Sequence, residues 1–175
     1  MSNRKLEKLS VELYFLNNYA SRYLESYRAA ASLYNMKLIE RVDYPLKLDL
    51  MTTVANEIIK ESKKALPKNH HYVLIVSNIM LTDSTGSRIF GLTDPKEKIA
   101  IISEERLASE PALARERIMK EAAHLIGHFW GLGHCTNETC IMSYAQNLNE
   151  VDRKLPVLCK SCREDFLKVY NELIK

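Results

Sequence analysis

The chain has 175 residues, 46% of them apolar and 27% charged, and a formal net charge of +3. That length can bury a core within one domain, and so mild a charge gives no electrostatic reason to expect a nucleic-acid or membrane surface. Met1 to Ser10 is polar, without the apolar core of a signal segment, and no apolar run approaches the ~20 residues of a membrane span; the expected location is cytoplasmic.

In chain order, Val11 to Phe15 alternates and predicts a strand, broken by Asn17 and Asn18. Ala20, Tyr23, Leu24, Tyr27, Ala30, Ala31 and Tyr34 recur at helical spacing, Asn35 closes that helix, and Met36 to Val42 reads as a second strand. Pro45 marks a turn. Asp49 is the expected N-cap of a helix with Met51, Val54, Ala55, Ile58, Ile59 and Ala65 on its inner face, stopped by Pro67. The apolar run from Tyr72 to Val76, continuing toward Leu81, predicts a buried strand. After a loop at Asp83 to Ser87, strands are expected at Arg88 to Thr93 and Lys98 to Ser103, joined by a turn at Asp94 to Lys96. Ser109 and Pro111 start a helix that runs to Trp130. The tail from Cys135 reads as loops and a last helix near Arg163 to Ile174. This order predicts an α+β class: a mixed twisted sheet with an antiparallel edge strand, backed by helices. We expect one domain over residues 1–175, an N-terminal lobe to about 134 and a small C-terminal lobe from about 135.

Three of the five histidines fall within one stretch, His124, His128 and His134. On a helix, positions four apart share a face, so His124 and His128 can meet one cation. Gly131 can take positive φ and turn the chain back, which lets His134 approach as a third ligand. Three imidazoles with an open position are the pattern of a catalytic zinc site, and this company sets them apart from satisfied core or surface histidines. His70 and His71 lack such company and read as surface residues. All four cysteines, Cys135, Cys140, Cys159 and Cys162, lie in the tail. In a reducing compartment such clustering reads as a metal site sooner than as disulfides. Four thiolates in two pairs make a closed tetrahedral site, which would pin the C-terminal lobe. A zinc-ribbon nucleic-acid module is the rival reading, but there is no basic stripe or interleaved aromatics to support it.

His124-x-x-x-His128-x-x-Gly131-x-x-His134 resembles the metzincin zinc-binding motif, and the continuation Cys135-x4-Cys140-x-Met142, then Cys159-x-x-Cys162, resembles that of the archaemetzincins. The resemblance implies two zinc ions. His124, His128 and His134 would hold a catalytic-type zinc, and Cys135, Cys140, Cys159 and Cys162 a structural one. Met142 would be the methionine beneath the histidines, though it also reads as ordinary core. The strand around Ile89 to Leu92 would hold an extended peptide by main-chain pairing, or be a plain edge strand.

The resemblance also implies peptide-bond hydrolysis, but Leu125 stands where metzincins carry a glutamate general base. Losing such a base costs ~10²–10⁴-fold in rate. Two substitutes present themselves. Glu121, one turn before His124, could reach the site through a water, or be a solvent-facing helix carboxylate. Tyr144 matches a tyrosine that some metzincins place near the zinc and could stabilise an oxyanion, or be merely buried or stacked. Two functions follow: a zinc metallopeptidase with an impaired or re-equipped centre, or a catalytically inactive zinc-dependent peptide-binding pseudoenzyme. A third reading leaves the zincs purely structural. The expected partner is a peptide or protein, with no nucleic acid and no membrane; oligomeric state is left open.

Overall fold

The structure, a computed structural model, describes residues 9–44, 46–49, 51–108 and 110–175. The expected turn at Pro45 and the helix-starting Ser109 lie outside them. The elements in order are β1 (Ser10–Phe15), α1 (Leu24–Ser32), β2 (Lys37–Glu40), α2 (Ala55–Ala65), β3 (Tyr72–Ser77), β4 (Leu81–Thr82), β5 (Arg88–Ile89), β6 (Gly91–Asp94), β7 (Ile99–Ser103), α3 (Glu104–Leu107), α4 (Pro111–Phe129), α5 (Leu148–Arg153) and α6 (Lys160–Ile174).

The main sheet runs β2-β1-β3-β7-β6. Its first four strands are parallel, and β6 closes one edge antiparallel to β7. Because strand side chains alternate, the sheet feeds two cores. Val11, Leu13, Leu74, Val76, Ala100 and Ile102 face one cluster with α1 and α4. Tyr14, Val73, Ile75, Ile99 and Ile101 face the other, covered by Ala55, Ile58 and Ile59 of α2. Burial on both faces explains why β3 and β7 read as unbroken apolar runs.

The first helix begins at Leu24, because Tyr19 and Ser21, which would have lain in its first turn, donate to the carboxylate of Glu104 instead. Asn17, Asn18 and Asn35 all adopt positive φ, which makes them effective breaks. The second helix begins at Ala55, with Val54 as N-cap in place of Asp49, and Met51 is fully exposed instead of facing inward. The reason is tertiary: residues 52–54 run extended beside β4, where Thr82 donates to the Thr53 carbonyl. The run toward Leu81 and the stretch Arg88 to Thr93 each divide, since β4 and β5 pair with one another in a separate two-stranded sheet. Ile99, not Lys98, opens β7, because Lys98 takes positive φ in the turn. The short helices α3 and α5 had no sequence signal, and α6 starts three residues earlier than expected.

Beyond Cys135 the chain does not rest on thiols alone. Cys140, Ile141, Met142, Val151 and Phe166 are buried in the same cluster as α1, α4 and the sheet. Trp130 packs edge-on against Phe166 with ring centroids 5.1 Å apart. Among the described residues no helix is long and apolar enough to cross a membrane.

Candidate metal centre and cleft

Helix α4 carries His124 and His128 one turn apart on its inner face. It ends at Phe129, and Gly131 (φ 76°) lets the chain fold back, with Gly131 and Leu132 donating to the carbonyls of His128 and Gly127. His134 then returns to the pair. Its ring centroid lies 5.2 Å from that of His124 and 5.1 Å from that of His128. The three imidazoles form a group able to hold a metal ion, with one ligand nitrogen from each lying within 4.8 Å of the others.

Their chemistry fits a cation. Nδ1 of His124 bonds to the Ile141 carbonyl at 3.1 Å, and Nδ1 of His128 to the Leu132 carbonyl at 2.7 Å. A carbonyl only accepts, so both Nδ1 atoms carry the proton and both Nε2 atoms present lone pairs. Those two Nε2 atoms lie 3.2 Å apart, close to the ~3.3 Å edge of a tetrahedron with zinc–nitrogen bonds of ~2.0–2.1 Å. Two facing lone pairs repel unless a cation or a proton lies between them. Burial pushes all three imidazoles below the ordinary histidine value, His124 furthest, and so disfavours the proton.

The four cysteines form a second group of the same kind. All four are free thiols, and Cys135 Sγ lies 3.7 Å from Cys159 Sγ, against ~3.8 Å for neighbouring thiolates on one zinc at 2.3 Å. The backbone of Cys159 donates to Cys140 Sγ at 3.3 Å, and the Cys162 N–H at the start of α6 pulls the Cys159 thiol down to about 7. Such N–H donors suit bound thiolates. The two groups share a frame: Cys135 follows His134 and donates to the Met142 carbonyl, while Ile141, next to Cys140, orients His124.

Met142 is wholly buried, and the Tyr34 hydroxyl donates to its sulfur at 3.5 Å. It lies so near α4 that a Cβ on Gly127 would fall 2.3 Å from Sδ. Glycine between the two helical histidines is therefore a packing requirement.

A cavity of about 340 Å³ opens over the histidines, bounded by the β5–β6 stretch on one side and by Glu121, Leu125 and Tyr144 on the other. Leu125 is 2% exposed and packs against Gly91 of β6, while its carbonyl accepts from the Thr93 hydroxyl at 3.1 Å. Tyr144 is not buried; its exposed ring lies 5.0 Å from that of His134, at a tilt of 45°. Glu121 is not solvent-facing either. It is buried, lines the cavity, and pairs at 3.3 Å with the ammonium of Lys154, which has no exposed surface. Lys154 follows α5 and acts on all three imidazoles. It had no sequence signal, since a single lysine in a charged stretch reads as surface. His70 and His71 stay outside both groups, with the His70 ring bonded to the neighbouring His71 carbonyl.

Residues 84–168 match Peptidase family M54. The archaemetzincin of Methanopyrus kandleri is 43% identical over 77 residues, covering 43% of this chain and 44% of that protein. The chain spans about half the length of the curated relatives it matches. The crystal structure of that same archaemetzincin superposes with a TM-score of 0.81 at 23% identity, over 94% of this chain and 97% of the other. A zinc-dependent peptidase from Methanocorpusculum labreanum superposes at 0.73 and 23% identity, over 89% and 99%. Both likenesses concern the fold.

Proposed function

We infer, from the premise that residues 84–168 are a Peptidase family M54 domain of archaemetzincin type, that this chain is a two-zinc protein that lays an extended peptide along β6 and hydrolyses it with a rebuilt centre. His124, His128 and His134 would hold one ion, and Cys135, Cys140, Cys159 and Cys162 the other. Bound at the histidines, zinc would polarise a carbonyl and acidify a water. Thiols serving as ligands require a reducing compartment, in keeping with a cytoplasmic location.

The observation that carries the reading is the meeting of three lone-pair-bearing imidazoles with an open cavity beneath an unpaired sheet edge. Phe90, just before β6, turns its carbonyl toward β7, where it accepts from the Ser103 N–H, and Leu92 and Asp94 alternate with it in facing β7. Gly91 and Thr93 therefore turn their backbone N–H and C=O groups outward, ready for an added strand. Leu125 offers no proton acceptor, so the general base must come from elsewhere. Glu121 is one of two carboxylates lining the same cavity as the histidines, and the other, Asp83, is taken up by Thr85 and Ser87 in its own loop; Lys154 fixes the direction of Glu121 and keeps a compensating charge beside it. Tyr144, beside His134 and open to the cavity, is placed to donate to a developing oxyanion.

One observation favours the pseudoenzyme instead: the Glu121 carboxylate is already engaged by a buried ammonium. Peptide cleavage by wild type, Glu121→Gln and Leu125→Glu separates the two. Cleavage by wild type that falls ~10²-fold or more in Glu121→Gln supports the rebuilt centre. Cleavage by Leu125→Glu alone establishes a binding module.

A further inference from the structure

The cleft is not alike at its two ends. It follows β6 from Arg88, just before the strand, to Pro95, just after it. Beside the Arg88 end, behind the lining residue Phe90, stands Arg106. This guanidinium lies 4.2 Å above the Phe90 ring and donates to the Arg88 carbonyl at 2.6 Å and the Gln146 carbonyl at 2.9 Å. It thereby ties the rim containing β5 and β6 to the chain just beyond Tyr144.

Among the described residues neither Arg88 nor Arg106 forms an ion pair. Of the nearby carboxylates, exposed Glu105 acts on Arg106 without forming an ion pair, and two others are engaged elsewhere. Asp83 accepts from the backbone of Thr85 and Ser87 and from the Thr85 hydroxyl, and Glu121 is held by Lys154. Two guanidiniums close enough to act on one another, neither of them in an ion pair, mark a place for an anion. Which part of a peptide reaches it follows from strand direction. Antiparallel pairing is the more stable arrangement, and a peptide antiparallel to β6 runs from the Pro95 end toward Arg88, so its C-terminal end arrives at the two arginines.

We propose that Arg88 and Arg106 form a subsite for the free α-carboxylate of a peptide, so that the cleft takes C-terminal segments in preference to internal ones. The proposal rests on the peptide-binding reading above. Arg106, held by the Arg88 and Gln146 carbonyls, supplies a fixed charge beside that end, and Arg88, exposed on the rim, supplies the second.

The test offers zinc-loaded protein an N-acetylated tetrapeptide library randomised over apolar residues, half as free acids and half as isotopically marked C-terminal amides. The ratio of acid to amide retained on ultrafiltration is measured by mass spectrometry. A preference for the acid of about fivefold or more is expected, as for a charge-assisted contact near the surface. It should fall to near unity in Arg88→Gln combined with Arg106→Gln and persist in Arg88→Lys. Equal retention of acid and amide overturns the subsite while leaving peptide binding intact. A preference that survives the double replacement also overturns it, because the carboxylate then sits on the metal. Retention of neither form overturns this proposal and the peptide-binding reading together.

Discussion

The buried pair of Lys154 and Glu121 makes a quantitative demand on the fold. Their side chains are 0% and 7% exposed, and the ammonium lies 3.3 Å from the carboxylate. Replacing Lys154 by methionine keeps the volume and removes the charge, leaving Glu121 buried and without its partner. Such a break costs about 3–5 kcal/mol, a large part of the ~5–15 kcal/mol that holds a domain together. Glu121→Leu alone strands the ammonium at a similar cost. The double replacement removes both charges and should return to within ~1 kcal/mol of wild type, or exceed it. The expected coupling between the two sites is therefore at least ~5 kcal/mol, read from urea unfolding of the four proteins with and without zinc. Because the ammonium opposes positive charge on all three imidazoles, Lys154→Met should also bind cobalt more tightly at the histidines while being less stable. Single costs that simply add, or a loss below ~1 kcal/mol in Lys154→Met, would refute the pairing argument.

Gly127→Ala gains ~1 kcal/mol of helix propensity but drives a methyl to 2.3 Å from Met142 Sδ and 2.6 Å from the Tyr34 hydroxyl. Overpacking of that kind costs ~1–3 kcal/mol, so a net loss of stability and weaker metal binding at the histidines are expected. Gly133→Ala, which meets nothing within 4 Å, is the near-neutral control in the same melting experiment. Metal analysis should find two zinc ions per chain, falling to one in His124→Ala and to one in Cys140→Ser. Only the cysteine variant should lose ordered α6 by hydrogen exchange. In the metal-free protein the three imidazoles titrate below the ordinary value of 6.5, because desolvation disfavours their charged form. Between the folded and unfolded values the unfolded chain binds more protons, so stability is full above about pH 6.5 and is lost as pH falls. Each imidazole can contribute a slope of up to ~1.4 kcal/mol per pH unit, checked by urea midpoints from pH 8 to pH 5. A flat profile would show that the rings are not desolvated.

The histidine spacing was legible because a helix repeats every 3.6 residues and a glycine can reverse it, so three side chains on one short stretch carry their own geometry. The cysteine spacing was legible for a similar reason, since two close pairs imply one tetrahedral centre. Strand existence also came through where burial on both faces gave β3 and β7 continuous apolar runs. What failed was local reasoning about segments with distant partners. Met51 and Asp49 look like a helix start, yet the backbone of residues 52–54 is taken by β4. Arg88 to Thr93 looks like one strand, yet its halves pair with different neighbours. Glu121 on a helix reads first as a surface carboxylate and second as a site residue, and only the position of Lys154, thirty-three residues later, brings it inside.

By itself, then, the sequence determined which histidines and cysteines could gather into groups able to hold a metal, and the absence of a glutamate at Leu125, because both are matters of residue type at short fixed offsets. Tertiary structure alone decided which carboxylate meets the histidines in the cleft, which lysine accompanies it, and where the two neighbouring arginines stand. Those facts depend on loop closures and on the desolvation of charges brought together from separate elements, and no local periodicity encodes them.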